Sequence, residues 1–366
     1  MAMETLVEQV TDRPEAETTT QPRSLVAPSP ILSLPCLLPA LVTGGLLWLC
    51  YFPVACGWLG WVALVPLLCL VRSRDSAWLV YLSAWVSGLV FFVPVLQWMR
   101  VAHEMMFFAW LALAIYCALF IPLGIWLVRR LERGTRLPLI VTLPVVWTAL
   151  DFFRAHFLTG FGWYFLGHTQ HDFLPVIQIS DLGGVYAVTF LLAAVNALIF
   201  ELLYTQRWFR TLFHLTEPTT PRGLVAMVFQ CCIVALGLAG SLGYGYSRLQ
   251  HTEFATGPLV ALVQGNVPQR VRNDAFSSGD SKGQAAKTMA EDCVRLSDEI
   301  ARERPDLIVW PETSIPGTMR RILPDEHVED LPPEWRKEID EGNQLFEALT
   351  KAIVIVGRNP AYSSPS

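Results

Sequence analysis

The sequence predicts a polytopic α-helical membrane domain followed by a small α/β domain, and three observations carry that reading. Hydrophobic residues fill 53% of the 366 positions and charged residues only 16%, against roughly 25% charge in a soluble globular chain. Between residues 31 and 246 the apolar residues gather into repeated blocks, and a spanning helix needs roughly 20 mostly apolar residues. Beyond about Gly257 the blocks stop, and short β-branched runs alternate with amphipathic helical patterns.

Residues 1–30 are polar, with three consecutive threonines, several prolines and the acids Glu4, Glu8, Asp12, Glu15 and Glu17. Nothing there buries enough apolar surface to offset chain entropy, and there is no basic n-region of a cleavable signal peptide. A disordered cytosolic tail is expected. The membrane domain, 31–246, reads as about seven spans at 31–50, 58–72, 77–99, 105–128, 138–157, 184–204 and 224–246. The second is short and thins or tilts against the bilayer. Arg72 and Arg74 follow span two, Arg129, Arg130, Arg133 and Arg136 follow span four, and Arg207, Arg210 and Arg222 follow span six. The opposite loops are poor in Lys and Arg, with Arg100 and Arg154 isolated near helix ends. The positive-inside rule therefore predicts a cytoplasmic N-terminus and an outer location for everything after span seven.

Composition excludes several functions. The net charge of −5 leaves no basic face to neutralise phosphates, so no nucleic-acid partner is expected. The eight cysteines form no CxxC pair and read as small core hydrophobes, not as a disulfide or zinc framework. His168 and His171 flank a turn without further His or Cys nearby, so no metal site is expected. Asp151 and Arg154, one helical turn apart, pair with each other or hold a lipid headgroup. Glu104 is interfacial. Phe161, Trp163, Tyr164 and Phe165 suit an interfacial belt or the admission of a lipid tail. Gly237, Gly240 and Gly243 give span seven a smooth face for close helix packing. An unrelated transporter is disfavoured, since the spans show almost no buried charge and no inverted repeat.

Residues 257–366 form the α/β part, with strands at Leu259–Val263, Leu307–Trp310 and Ala352–Val356 and helices near 282–303 and 343–350. Strands alternating with helices imply a βαβ arrangement. In Leu307-Ile-Val-Trp-Pro-Glu312 an apolar strand runs into Pro311, which cannot continue the ladder, so Glu312 emerges at the strand's carboxyl end. Reactive groups gather at that edge of open α/β sheets. Glu312 is therefore a candidate general base, or a surface carboxylate after a strand. In Val263-Gln-Gly-Asn-Val-Pro-Gln269, Gly265 permits an unusual turn; Gln264 and Asn266 brace a neighbouring loop, or the segment is an ordinary polar turn.

Four segments in order carry a resemblance: Gly57-Trp-Leu-Gly-Trp-Val-Ala-Leu-Val-Pro-Leu67; Thr159-Gly-Phe-Gly-Trp163 with Leu166-Gly-His-Thr-Gln170, Gln178 and Asp181-Leu-Gly-Gly-Val-Tyr186; Val263-Gln-Gly-Asn266; and Trp310-Pro-Glu312. Together they resemble apolipoprotein N-acyltransferase, a bacterial inner-membrane family of the nitrilase (carbon–nitrogen hydrolase) superfamily. The resemblance implies an αββα-sandwich domain on the periplasmic side, incomplete at the C-terminus. It implies transfer of an acyl chain from a phospholipid to the N-terminal diacylglyceryl-cysteine of a lipoprotein, through a cysteine thioester and a Glu-Lys-Cys triad. Glu312 matches the triad glutamate. The implied partners are the phospholipid donor, the lipoprotein acceptor and membrane lipid, with no cofactor and no metal.

The sequence departs from the family at three places. The triad Lys and Cys, and an eighth span, have no counterpart up to Ser366. Lys337 lies in a charged run, Lys351 stands ahead of a strand outside any lysine motif, and Cys293 is mid-helix, so none is assigned to the triad. Arg272-Asn-Asp274 has Asn273 where relatives often carry Trp. A catalytically dead remnant, or one half of a split enzyme, is therefore the alternative to an active acyltransferase.

Overall fold

The computed structural model describes residues 34–102, 105–135, 137–218, 223–251, 255–276, 281–311, 331–333, 335–337 and 339–340. The polar tail, Glu104, Glu312, Lys351, the third predicted strand and the helix at 343–350 lie outside the described residues. The chain begins with α1 (Leu34–Leu49) and a broken segment of a 3-10 turn (Gly57–Trp61), α2 (Val65–Leu68) and a second 3-10 turn (Cys69–Arg72). Then come α3 (Ala77–Val95), α4 (Met99–Ala102), α5 (Met106–Ala118), α6 (Phe120–Gly134) and α7 (Leu139–His156). Two 3-10 turns (Phe157–Thr159 and Leu166–Gln170) and α8 (Leu174–Ile177) lead to α9 (Ser180–Tyr204), α10 (Arg207–Leu212) and α11 (Leu224–His251). The last part holds β1 (Val260–Leu262), α12 (Gln269–Phe276), α13 (Ser281–Ile300) and β2 (Leu307–Val309).

Among the described residues five helical stretches are long and apolar enough to cross a membrane: Ala77–Val95, Met106–Gly134, Leu139–Thr159, Ser180–Tyr204 and Leu224–His251. Two shorter apolar stretches, Cys36–Leu49 and Gly57–Arg72, occupy the first two predicted spans. The helices pack in sequence, α1 on α3, α3 on α5 and α6, α6 on α7, and α7 on α9. Lipid tails are as apolar as leucine, so close packing and polar contacts hold such helices together.

The broken segment is the main departure from seven plain spans. It is core, not wall: Leu64, Leu67, Leu68 and Leu70 are fully buried. Pro66 brings no backbone N–H, and the N–H of Leu64 donates instead to Asn196 Oδ1 on α9 at 2.9 Å. The segment ends in buried charge. Arg72 donates to Glu132 Oε1 of α6 at 2.5 Å and to both carboxylate oxygens of Glu201 of α9, at 2.6 and 3.1 Å. Its guanidinium lies 4.4 Å from the Tyr204 ring centroid, and Glu201 is 1% exposed. Arg129 is also buried and donates to Leu70 O at 3.1 Å. The expectation of almost no buried charge in the spans is thus corrected. Arg72 is paired with Glu132 and Glu201, and these three line, with Arg129, an open cavity of about 660 Å³ at one end of the bundle.

The close approach expected at the α11 glycines is not met either. No described atom stands within 4 Å of a Cβ built on Gly240 or Gly243, whereas Gly245 abuts the carbonyl of Pro175 on α8. Gly237 and Gly240 instead line an open groove of about 670 Å³ between α11 and α7 and α9. Cys36, Cys50, Cys69, Cys117 and Cys293 are buried as expected of small hydrophobes, but Cys232 on α11 is exposed.

In the last part, β1 and β2 pair in parallel with Val260 opposite Leu307, Ala261 opposite Ile308 and Leu262 opposite Val309. Asp306 fixes that register by accepting from Leu259 N at 2.7 Å. The crossover runs through α12, most of which lies between the turn segment at 263–269 and the helix expected near 282–303, and through α13. Cys293 is buried in α13 and its carbonyl accepts from Ser297 Oγ; that hydroxyl in turn accepts from Trp310 Nε1 at 2.9 Å. After β1 the left-handed residue is Asn266 (φ 46°), not Gly265, because the side chain of asparagine tolerates that conformation.

Arg72→Leu leaves Glu132 and Glu201 facing each other without their cation. Denaturant unfolding in detergent should show a loss of about 3–5 kcal/mol, the cost of an uncompensated buried charge. Adding Glu132→Gln and Glu201→Gln should recover most of it. A loss below about 1 kcal/mol for Arg72→Leu would mean the cluster does not hold the bundle together.

Candidate functional site

The helix end opposite the Arg72 cluster is built from the turn after α1, the C-terminal ends of α3 and α7, and the connection between α7 and α9. Two of the segments singled out in the sequence, 57–67 and 159–170, meet here as a clasp. Gln170 Nε2 donates to Gly57 O at 2.7 Å, and Trp61 Nε1 donates to Gln170 Oε1 at 2.9 Å. Asn196 Nδ2 donates to Gly60 O at 2.9 Å. A Cβ on Gly57 would lie 2.0 Å from Thr169 O, so the two chains approach to backbone contact. Gly57, Gly60 and Gln170 therefore shape the site from beneath.

Above the clasp, Phe165 N donates to His168 Nδ1 at 3.1 Å and the two rings stack. Burial, and next the charge of Arg154, push the His168 imidazole below its ordinary range, which suits a ring that accepts at Nδ1. Tyr51 Oη donates to Phe165 O at 2.7 Å. Tyr164 Oη donates to Val95 O at 3.1 Å and accepts from Trp98 Nε1 at 2.9 Å. The Trp98 and Trp163 rings lie 5.1 Å apart. His171 sits on the surface, 3.3 Å from Asp172.

These residues frame a cleft of about 1,010 Å³, lined by Tyr51, Phe52, Pro53, Pro94, Val95, Gln97, Trp98, Arg100, Val101, Phe107, Tyr164 and His171. Its wall is aromatic and aliphatic, and among the described residues lining it Arg100 is the one permanent cation, with its guanidinium 5.7 Å from the Phe107 ring centroid and 5.2 Å from that of Trp110. Such a wall suits an amphiphile, with apolar surface for a chain and a guanidinium for an anionic head.

Of the residues singled out beforehand, the structure brings Tyr164 and His171 to the cleft. Phe165 is buried beside it and Trp163 is 54% exposed at its edge. Asp151 and Arg154 pair with each other, Arg154 Nη2 donating to Asp151 Oδ1 at 3.3 Å. Lys337 is exposed and Asn273 accepts from Gln269 on α12 at 2.9 Å. Among the described residues no group of three His, Cys, Asp or Glu could hold a metal. Tyr51, Trp98 and Phe107 were missed. One signal pointed to this end: Arg100 is an exception on the side poor in Lys and Arg.

The fold and cleft define a polytopic helical membrane protein with an amphiphile-sized opening at one end of its bundle. Comparison narrows this. Residues 43–198, which include the clasp and every residue named for the cleft, match the family model described as the apolipoprotein N-acyltransferase N-terminal domain. The chain is 34% identical over 283 residues to the apolipoprotein N-acyltransferase of Rhodopirellula baltica, covering 74% of this chain and 47% of that protein. It is 30% identical over 293 residues to that of Geobacter metallireducens, covering 76% and 51%, and 28% identical over 304 residues to that of Chlorobaculum tepidum, covering 80% and 51%. The chain belongs to the apolipoprotein N-acyltransferase family and spans about half the length of the curated relatives it matches.

Two outcomes test the clasp. Gly57→Ala forces a methyl group into the Thr169 carbonyl and should cost about 1–3 kcal/mol, read as a lower detergent melting temperature. For His168, the folded protein favours the neutral ring. The stability it contributes is complete above the ordinary histidine value of about 6.5 and is lost as pH falls through the lowered folded value. Melting temperature should therefore drop between pH ~7.5 and pH ~5, and His168→Gln should flatten that drop; an equal drop in both would place the pH sensitivity elsewhere.

Proposed function

We propose that this chain supplies the membrane domain and part of the catalytic domain of an acyl transfer from a phospholipid to the α-amino group of a lipoprotein's N-terminal diacylglyceryl-cysteine. The cleft carries this reading. The donor's headgroup phosphate would meet Arg100, and its acyl chains would lie along Trp98, Phe107, Val101 and Tyr164. All seven apolar segments would sit in the cytoplasmic membrane of a bacterium, the N-terminus inside and the α/β part, a nitrilase-like domain, outside. Arg74, Arg130, Arg133, Arg207 and Arg210 on one side of the bundle support that orientation.

The chemistry is an acyl exchange in two halves. A cysteine thiolate attacks the ester carbonyl of the donor, the carbon–oxygen bond breaks, and the lysophospholipid leaves as its alcohol. The lipoprotein amine then attacks the thioester, the carbon–sulfur bond breaks, and an amide forms. Glu312 would take the thiol proton and return it to the leaving alkoxide, then take the amine proton and return it to sulfur. No residue of this chain is assigned to the triad Lys or Cys. The link Trp310–Ser297–Cys293 supports the role of Glu312, because it anchors the strand end from which that carboxylate follows.

Three measurements test this reading. A reporter active only outside the cytoplasm should work when fused after Gly257 and fail after Arg133 or Arg210; the reverse pattern would overturn the orientation. Brominated phospholipid should quench tryptophan fluorescence of the detergent-solubilised chain, and Arg100→Gln should weaken that binding about tenfold. Unchanged binding would remove Arg100 from the headgroup. In a chimera whose remaining segment comes from a relative, Glu312→Gln should slow single-turnover thioester formation by about 10²–10⁴-fold without lowering the melting temperature. Acylation at the parental rate would sink the assignment.

A further inference from the structure

The buried ion pair at the end of α7 does more than satisfy itself. Arg154 is 3% exposed. Its Nη2 donates to Asp151 Oδ1 at 3.3 Å, and its Nη1 reaches out of the helix to donate to Trp163 O at 2.9 Å and Phe161 O at 3.4 Å. Its own carbonyl accepts from Phe161 N at 2.8 Å. The guanidinium lies 4.7 Å from the Phe165 ring centroid, 5.5 Å from that of Phe92 and 6.0 Å from that of Phe161. One side chain thus touches three residues of the loop that follows its helix.

That loop is costly to hold. Leu158 (φ 50°), Thr159 (φ 70°) and Tyr164 (φ 59°) adopt left-handed backbone without being glycine, a conformation that persists only where surroundings over-determine it. At Gly160 (φ 82°) a Cβ would lie 2.0 Å from Ala155 O. On the cleft side the loop is tied by Tyr164 to Val95 and Trp98; on the inner side its ties are Arg154 and, at Phe165 O, the hydroxyl of Tyr51. Asp151 lines a cavity of about 30 Å³, large enough for one water.

We infer that Arg154, oriented by Asp151, is a positioning residue that sets the 157–165 loop as a wall of the lipid cleft. The inference rests on the cleft reading proposed above. Arginine is required because its planar fork can bond a carboxylate and two carbonyls at once, while lysine presents one nitrogen. Asp151 fixes the direction of the fork and so acts at one remove.

The test uses the full chain in detergent, labelled with fluorotryptophan. Fluorine resonances of Trp98 and Trp163 are assigned by Trp→Phe changes, and phospholipid binding is read by brominated-lipid quenching. Arg154→Gln should displace both resonances, leave those of Trp58, Trp78, Trp126 and Trp208 in place, and weaken phospholipid binding at least tenfold. Asp151→Asn, which keeps an acceptor for the guanidinium, should retain both resonances, whereas Asp151→Leu should lose them. If Arg154→Gln does not fold, Arg154→Lys decides. It keeps charge beside Asp151 but cannot span both carbonyls, so the same two resonances should move alone. Unmoved Trp98 and Trp163 in Arg154→Lys would overturn the inference, as would displacement of all resonances together. A parental chain that binds no phospholipid while Arg154→Lys still moves the two resonances would sink the cleft reading and leave the positioning role standing.

Discussion

The amide of Asn196 is the contact on which the rest of the bundle depends. It accepts from Leu64 N and donates to Gly60 O, each at 2.9 Å, so two backbone groups left open where the segment fails to make a continuous helix are satisfied. In hydrocarbon an unsatisfied backbone group costs several kcal/mol, and irregular chain at membrane depth survives only where protein buries it. By closing those groups, α9 draws the broken segment into the core. The segment then places Gly57 against Thr169 at one end and Arg72 against Glu201 at the other. One side chain thus fixes both ends of the domain.

The two ends are solved alike. Each buries an arginine against carboxylate and aromatic rings, Arg72 with Glu132, Glu201, Tyr204 and Phe200, and Arg154 with Asp151, Phe92, Phe161 and Phe165. A delocalised, weakly hydrated guanidinium tolerates this better than an ammonium. The ends differ in what else the arginine does. Arg72 joins helices that are already regular, whereas Arg154 reaches into a loop whose backbone is not.

The sequence made visible whatever depends on local pattern. The apolar blocks mark the helices because hydropathy is read over consecutive residues, and Asp151 with Arg154 was readable as a pair because three residues bring side chains to one helix face. Gly57 and Gln170 stood in notable segments, yet their meeting spans 113 residues and the Asn196–Gly60 bond spans 136, distances over which no periodicity speaks. Arg72 was legible only as a mark of orientation, since a basic residue after a span looks the same whether it faces water or two buried carboxylates. The aromatic cleft escaped for a related reason: Tyr51, Trp98 and Phe107 come from three elements, and each alone is an ordinary interfacial ring.

The Arg72 cluster also has a history in time. Arg72 and Glu132 are 60 residues apart, and Arg72 and Glu201 are 129 apart. At a synthesis rate of about 5–20 residues per second, the last carboxylate emerges roughly ten seconds after the arginine it will neutralise. Until Glu132 emerges the guanidinium has neither of its carboxylates and must stay hydrated at the membrane surface, and until Glu201 emerges it has only one of the two. The broken segment therefore cannot sink to its final depth when it is made. It is drawn in when α9 arrives, so a residue that first resists crossing the membrane ends, a few helices later, paired with two carboxylates on the wall of a cavity.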